Sequence, residues 1–294
     1  MANLKIIRTR IASVKSTRQI TSAMKMVSAA KLRRAQDKIV RLRPYANKLY
    51  EILVGVSQSL VDIEDDNIYG RKSEPEKVLV VVITSNRGLC GGFNSNVIKE
   101  TRKIIADKYH NQAKKGNLWF IAIGKKGFEY LRRQKLNILE EDNQLFNALT
   151  FSNVSVVAER VMESFASGRF DKVILIYNQF KNAAIQNLTN EVFLPVETVQ
   201  TDKKTLTVVD YIYEPTKEEI VRELIPKSLK IQFYKAVLDS FVAEHGARMT
   251  AMHKATDNAT QMIKELTLHY NKARQSAITN QILEVVSGAE ALKG

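Results

Sequence analysis

The chain has 294 residues, a formal net charge of +14 at pH 7, 45% hydrophobic residues and 26% charged residues, which is ordinary for a soluble globular protein of one or two domains. No run of 18 apolar residues is present, and we expect no membrane span and no secretory signal. The single cysteine, Cys90, excludes an internal disulfide and suggests a reducing compartment. The chain contains only 12 Gly and 5 Pro, and this shortage of turn-forming residues predicts long regular elements.

The positive charge is concentrated at the N-terminus. Residues 1–60 contain 13 Lys and Arg but only two acids, Asp37 and Glu51, so this stretch carries +11 and the remainder +3. Such a basic arm must meet something negative, which leaves nucleic acid, a membrane surface or an acidic protein as partners.

A heptad repeat predicts one long N-terminal helix. With Leu4 at position a and Ile7 at position d, 14 of the 18 a and d positions through residue 63 are apolar. A 3.5-residue repeat of this length is typical of a coiled coil. The frame continues unchanged after Pro44, which predicts a kink rather than a helix end. The polar exceptions cluster at Arg18, Thr21, Lys25 and Ser28.

The middle of the chain reads as an α/β domain behind a polar linker over 61–76. Continuous apolar runs alternate with amphipathic stretches, which predicts a mostly parallel sheet with helices on both faces. The predicted strands are 78–84, 118–123, 173–177, 192–196 and 206–213. The predicted helices are 95–110, 127–134 and one capped by Ser152 and ended by Gly168.

The C-terminal third is predicted to be helical again. Thr216 opens a possible capping box, Pro226 allows a restart, and a helix continues to about Val286. Its apolar heptad positions are Met252, Ala255, Ala259, Met262, Leu266 and Ala273. Because the two ends have matching lengths, the simplest way to bury both seams is antiparallel pairing. We therefore predict three domains: an N-terminal coiled-coil helix (1–60), a Rossmann-like α/β domain (77–213) and a C-terminal coiled-coil helix (216–294).

The glycine loop around Cys90 is the strongest candidate for an enzyme site. Gly88, Gly91 and Gly92 follow a strand and precede a helix, where phosphate-binding loops lie. The loop nevertheless lacks the P-loop Lys-Ser/Thr and the Gly-x-Gly-x-x-Gly order, so a tight structural turn with a packed Cys90 is favoured. No histidine pair has metal-ligand spacing. We expect no metal, no cofactor and no catalytic residues.

Two cations lie at seam positions of the basic helix. Arg18 and Lys25 would be costly in a closed coiled coil unless something polar or acidic faced them. Around residues 18–28 the helix is therefore expected to contact another partner, or none.

Three sets of motifs, in order along the whole chain, resemble the γ subunit of F-type (proton-translocating) ATP synthases. The first lies in residues 1–45 and includes Ile11-Ala12-Ser13-Val14 and Ala23-Met24-Lys25-Met26-Val27. The second is Arg87-Gly88-Leu89-Cys90-Gly91-Gly92. The third lies in the C-terminal helix and includes Ala255-Thr256-Asp257-Asn258 and the run from Leu266 to Gln275.

The resemblance implies a rotor shaft without catalytic activity of its own. In that family the coiled coil stands inside a hexamer of α and β subunits, and the α/β domain lies against the ε subunit and the c-subunit ring. Met24, Lys25, Arg274 and Gln275 match positions that contact the β subunit, where Arg274 and Gln275 touch an acidic loop. The apolar tip that would turn in a sleeve consists of Ile278, Ile282, Leu283, Val285 and Val286.

The resemblance also implies a peripheral membrane protein on the cytoplasmic face of the bacterial inner membrane. It implies no nucleic-acid partner. Two alternatives from the residues remain open: a basic coiled coil that binds nucleic acid, although its arm has few interleaved aromatics, and an enzyme that uses the Gly88–Gly92 loop.

Overall fold

The computed structural model describes residues 2–58, 68–71, 74–196 and 217–291. These residues form two compact units. One unit joins the chain up to Ala29 with the chain from Arg248 onward, and the other spans Ala30–Ala247. The two longest elements, helix α1 (Ala2–Gln58) and helix α6 (Lys217–Ala291), each contribute to both units.

The first unit is an antiparallel pair of helical segments. The Arg8 Nη2 atom donates a hydrogen bond of 2.9 Å to the Tyr270 hydroxyl, and the hydroxyls of Thr21 and Thr256 lie 2.8 Å apart. Moving along α1 in one direction therefore moves along α6 in the other. In this unit every a and d position from Leu4 to Ser28 is buried or half-buried, which confirms the heptad frame. The predicted pairing of the two chain ends is confirmed.

The α6 side of that seam differs from the prediction at two places. Thr256, rather than the predicted Ala255, contacts Thr21 across the seam. Met262 is 42% exposed, and its neighbour Ile263 faces the seam instead. The seam positions of α6 alternate spacings of four and three residues, as a heptad requires. They are Met252, Thr256, Ala259, Ile263, Leu266, Tyr270, Ala273 and Ala277, all buried or half-buried.

The second unit is built on a five-stranded sheet of order β3-β2-β1-β4-β5. Strands β1 to β4 pair in parallel and β5 is antiparallel to β4, which confirms a mostly parallel sheet. The strands are β1 (Val78–Ile83), β2 (Leu118–Ile123), β3 (Asn137–Asp142), β4 (Lys172–Phe180) and β5 (Gln186–Leu194). The intervening helices are α2 (Phe93–Asp107), α3 (His110–Lys114), α4 (Lys125–Arg133) and α5 (Phe151–Ala166).

The central strands are buried on both faces, as their continuous apolar runs predict. On one face, Val97 of α2, Leu131 of α4 and Tyr109, which directly precedes α3, pack onto a cluster that includes Val80 and Phe120. On the opposite face alternate residues such as Leu79, Val81 and Leu175 have no exposed surface. The α6 segment of this unit adds aromatic contacts, with Phe233 edge-on to Phe193 and Tyr234 edge-on to Phe151.

Several predicted boundaries are wrong. Strand β3 was not predicted, because its sequence Asn137-Ile-Leu-Glu-Glu-Asp142 is a polar edge strand without an apolar run. Helix α5 is capped by Thr150, whose hydroxyl accepts from the Asn153 N–H at 3.3 Å, and not by Ser152. Strand β5 begins six residues before the predicted 192–196. Helix α6 begins at Lys217 and continues through Pro226 without a restart.

Other predictions fall where the structure gives no description. The predicted strand 206–213 and Thr216 lie outside the described residues, as does most of the predicted linker 61–76. Helix α1 continues past Pro44, so this proline does not end it. The division into three domains at 1–60, 77–213 and 216–294 stays a prediction.

Candidate partner-contact surface

The seam of the first unit is polar at the four positions that interrupt the predicted heptad pattern, Arg18, Thr21, Lys25 and Ser28. Besides pairing with Thr256, the Thr21 hydroxyl donates to the Arg18 carbonyl at 3.0 Å. The Ser28 hydroxyl donates to the Met24 carbonyl at 2.8 Å, and Ser28 is only 2% exposed. The buried hydroxyls are thus satisfied within the coil, and no charged partner is needed for them.

The two seam cations are not enclosed. Arg18 and Lys25 are only half-buried, and a cavity of about 430 Å³ opens beside Arg18. Its lining residues are Arg18, Gln19, Ser22, Ala23, Met26, Thr256 and Thr260. The helices leave a groove at this place but still pair, since Thr21 contacts Thr256 and Ser28 is buried. The expectation that residues 18–28 contact another partner, or none, is therefore wrong for the seam itself.

The outer surface beside this groove combines positive charge with apolar side chains. From Lys5 to Lys25 the α1 segment carries six Lys or Arg and no acid. Ile20, Met26 and Val27 are each more than half exposed. A surface of this composition suits a partner that offers carboxylates next to apolar contacts.

The structure separates the predicted β-subunit contacts into two levels. Met24 and Lys25 are half-buried, whereas Arg274 and Gln275 are exposed. The Thr21–Thr256 bond fixes the register, so Lys25 lies near residue 252 of α6. At 1.5 Å rise per residue, Arg274 is about 33 Å further along the coil. One small loop of a partner cannot contact both pairs at once.

The predicted apolar tip is a single helix. Because Arg8 is level with Tyr270, the described start of α1 at Ala2 is level with about residue 276. Helix α6 continues about 22 Å further to Ala291. Every side chain from 278 to 291 is exposed, and among them Ile278, Ile282, Leu283, Val285 and Val286 are 47–71% exposed.

The glycine loop fills the crevice in which an α/β sheet would bind a nucleotide. Strand order reverses between β1 and β4, and ligands of such sheets bind beyond the carboxyl ends of the strands at this point. Cys90 and Phe93, both 2% exposed, pack there against Ala243 and Ala247 of α6. The Asn178 side-chain amide also donates to the Phe93 carbonyl at 3.0 Å.

The backbone of the loop explains one of its glycines, Gly91, without a phosphate. Gly91 has a φ of +59°, which a residue with a side chain rarely adopts, and Leu89 also has a positive φ of 62°. The side-chain oxygen Oδ1 of Asn94 accepts from the Ser85 N–H at 2.9 Å, and the side-chain Nδ2 of Asn94 donates to the Cys90 sulfur at 3.2 Å. The predictions of a tight turn and a packed Cys90 agree with this geometry.

Two further searches of the described residues are relevant to the candidate functions. No three His, Cys, Asp or Glu side chains in the described ranges gather as a set of metal ligands. No helix in those ranges has a stretch long and apolar enough to cross a membrane.

An antiparallel coiled coil made from both ends of one chain, with an α/β domain between them in sequence, defines a class of helical stalk proteins. The comparisons with known proteins agree with this class. The model of the family described as ATP synthase matches residues 3–292. The ATP synthase γ chain of Flavobacterium psychrophilum is 56% identical over 294 residues, and that of Cytophaga hutchinsonii is 52% identical over 294 residues. Each alignment covers at least 99% of both chains.

Solved structures show the same fold. The central stalk and c-ring structure of the mitochondrial ATP synthase of Tetrahymena thermophila contains a chain with a TM-score of 0.58 and 27% identity, covering 80% of this chain and 99% of that one. A chain of the Euglena gracilis mitochondrial ATP synthase has a TM-score of 0.68 and 20% identity, covering 99% and 95%. The chain belongs to the ATP synthase γ-chain family.

Proposed function

We propose that this chain is the central-stalk rotor subunit of an F-type ATP synthase, coupling ion-driven rotation of a membrane ring to ATP synthesis or hydrolysis. The observation that carries the proposal is the antiparallel pairing of the two chain ends. Paired helices resist bending and twisting better than a single helix, and their uneven surface presents different contacts at different angles. A shaft of this kind can bias identical sites differently, because only differential contacts shift a site between states.

The partners of such a shaft are the α and β subunits of the catalytic hexamer, the ε subunit and the c-subunit ring. Chains of similar fold occur in assemblies named for F1, the rotor and the c-ring. We assign the β-subunit contacts to Met24, Lys25, Arg274 and Gln275. Because these pairs lie about 33 Å apart along the coil, each pair serves a different level of the hexamer.

The apolar tip serves as the bearing of the shaft. Ile278, Ile282, Leu283, Val285 and Val286 offer apolar surface without directional hydrogen bonds, so rotation within an apolar sleeve breaks no specific polar contact. Their exposure in the isolated chain supports a partner at this place, since apolar surface of this kind gains from burial.

The chain itself performs no catalysis in this proposal. Its nucleotide-type crevice is filled by Cys90 and Phe93, so ATP turnover belongs to the hexamer. The complex places the chain at the cytoplasmic face of the bacterial inner membrane, held there through its partners. The purified chain should therefore show no ATPase activity, and turnover by the chain alone would refute the non-catalytic assignment.

The contact assignment is tested in a reconstituted complex of the chain with α and β subunits. Replacement of Arg274 by Ala should lower turnover or coupling, because it removes an exposed cation from the proposed contact. Lys272→Ala is the matched control, since it removes an exposed cation two residues away on the same helix. Circular dichroism verifies that both variants keep their helices. Equal activity of the wild type and Arg274→Ala removes Arg274 from the contact.

A further inference from the structure

A polar cavity of the second unit has no role in the proposed rotor contacts. Its volume is about 360 Å³, and three elements form its wall. Helix α1 contributes Arg43, helix α6 contributes Lys235, and the β4–β5 hairpin contributes the remainder. The hairpin residues are Gln179, Phe180, Lys181 and Asn187.

The residues that line this cavity include cations and hydrogen-bond donors but no acid. Three of its six residues are cations, two are side-chain amides that can donate hydrogen bonds, and none is acidic. Lys181 and Lys235 form no ion pair with any described residue. Lys181 is exposed and Lys235 is half-buried. Burial raises the pKa values of the carboxyl groups of Asp239 and Glu191, and the positive charge of Lys235 acts on both groups in the lowering direction.

The guanidinium of Arg43 contacts a buried carboxylate and a backbone carbonyl. Its Nη2 atom lies 3.6 Å from the carboxylate of Asp239, which has no exposed side-chain surface, and donates to the Phe180 carbonyl at 3.4 Å. Neither Asp239 oxygen has a hydrogen-bond partner among the described residues. Both contacts involve the Nη2 atom alone, so they orient Arg43 and leave its other guanidinium donors to a ligand.

A second acid near this cluster, Glu191, does not line the cavity. Glu191 of β5 accepts a hydrogen bond from the Tyr177 hydroxyl at 3.4 Å, and burial raises the pKa of its carboxyl group. Among the titratable groups of the cluster, Arg43, Lys181 and Lys235 thus face the cavity, whereas Asp239 and Glu191 lie outside its lining. The cavity keeps a net positive charge.

We propose that this cavity is an oxyanion-binding site, which takes a carboxylate or phosphate group between Arg43, Lys181 and Lys235. The donor set suits a planar or tetrahedral anion, because a guanidinium offers paired donors and the two lysines add point charges. The oxyanion has two possible sources, a free phosphate ion or a carboxylate side chain of a partner subunit. The second source rests on the proposed function, and the first does not.

The first arm of the test uses the purified full-length chain and inorganic phosphate. Binding is followed by isothermal titration at low ionic strength, where surface charges are least screened. The variant Lys181→Gln/Lys235→Gln removes two of the three cations and leaves the Arg43–Asp239 pair intact. The control Lys108→Gln/Lys227→Gln makes the same charge change at two exposed lysines outside the cavity. Saturable binding that weakens at least about tenfold only in the cavity variant supports a free-phosphate site.

The second arm measures the affinity of the same chains for the α and β hexamer. A dissociation constant raised at least about tenfold in the cavity variant, but not in the control, supports a partner carboxylate. If phosphate does not bind saturably and hexamer affinity is equal in the two variants, the proposal is overturned. Failure of the wild type to join the hexamer contradicts the proposed function instead, and the phosphate arm then decides the cavity.

Discussion

Replacing the buried carboxylate of Asp239 with an amide should change how the stability of the second unit depends on pH. Burial raises the pKa of Asp239 from 3.8 to about 6, and this effect exceeds the opposing attraction of Arg43 and Lys235. The folded state therefore holds a proton more tightly than the unfolded chain. The resulting stability is fully present below about pH 3.8 and is lost as the pH rises through about 6.

The magnitude follows from the size of the shift. A shift from 3.8 to about 6 corresponds to about 3 kcal/mol over the whole titration, and to about 1.4 kcal/mol between pH 5 and pH 8. Asp239→Asn cannot ionise, so the wild type should lose this amount relative to the variant as the pH rises from 5 to 8. With a urea slope of about 2–3 kcal/mol/M, the relative midpoint should move by about half a molar.

Urea denaturation followed by tryptophan fluorescence is the direct assay. The single tryptophan, Trp119, lies in β2 and therefore reports on the unit that contains Asp239. Asp107→Asn is the matched control, because Asp107 lies on α2 in the same unit and its side chain is exposed. If Asp239→Asn and the wild type show parallel midpoints from pH 5 to pH 8, burial does not raise the pKa of this carboxyl group.

Two further predictions concern packing around backbone atoms. A Cβ atom at Gly246 would lie 3.2 Å from the Ala183 Cα atom, so Gly246→Val should destabilise the second unit by about 1–3 kcal/mol in the same urea assay. Gly288, which has nothing within 4 Å, should tolerate Ala and gain helicity by circular dichroism, whereas equal destabilisation at both positions would contradict the packing argument. The Thr84 hydroxyl accepts from the buried Gly127 N–H at 2.7 Å, so Thr84→Val should cost about 1–3 kcal/mol. Thr84→Ser keeps the hydroxyl and should restore much of the loss, and a Ser variant as unstable as the Val variant would show that the hydrogen bond is not the cause.

The coiled coil was predictable from the sequence because its heptad pattern of apolar residues repeats many times. One heptad frame from Leu4 places the seam residues of α1 as far as Leu49, and the polar positions between Arg18 and Ser28 do not erase it. The α6 seam is harder to predict from the sequence, because the adjacent residues Met262 and Ile263 are both apolar. Only the register with α1, visible in the Thr21–Thr256 contact, selects Ile263.

The α/β elements were predictable where burial is complete on both faces. Strand β2 was predicted with its observed bounds, since Leu118–Ile123 is an uninterrupted apolar run. Strand β3 lies at the sheet edge and needs no such run, so no local signal separates it from a loop. The cavity beside Arg43 was equally invisible, because its residues come from three elements that are far apart in the chain.

The role of the glycine loop was also hard to predict from local sequence alone. Its position after β1 is the one that nucleotide-binding loops use, and glycine spacing alone argued against that role. The filling of the crevice by Cys90 and Phe93 depends on Ala243 and Ala247, which lie 150 residues further on. Small residues at those two helix positions carry no motif, and only the folded structure relates them to the loop.

The final turns of α6 are decoupled from the folding energetics of the chain. Beyond residue 277 no described side chain is shielded from solvent, so shortening or altering this end removes almost no intramolecular packing. Selection for a stable fold therefore cannot maintain the apolar character of Ile278 to Val286. Any requirement for apolar side chains here must come from contacts made after folding, such as those with the sleeve proposed for this tip.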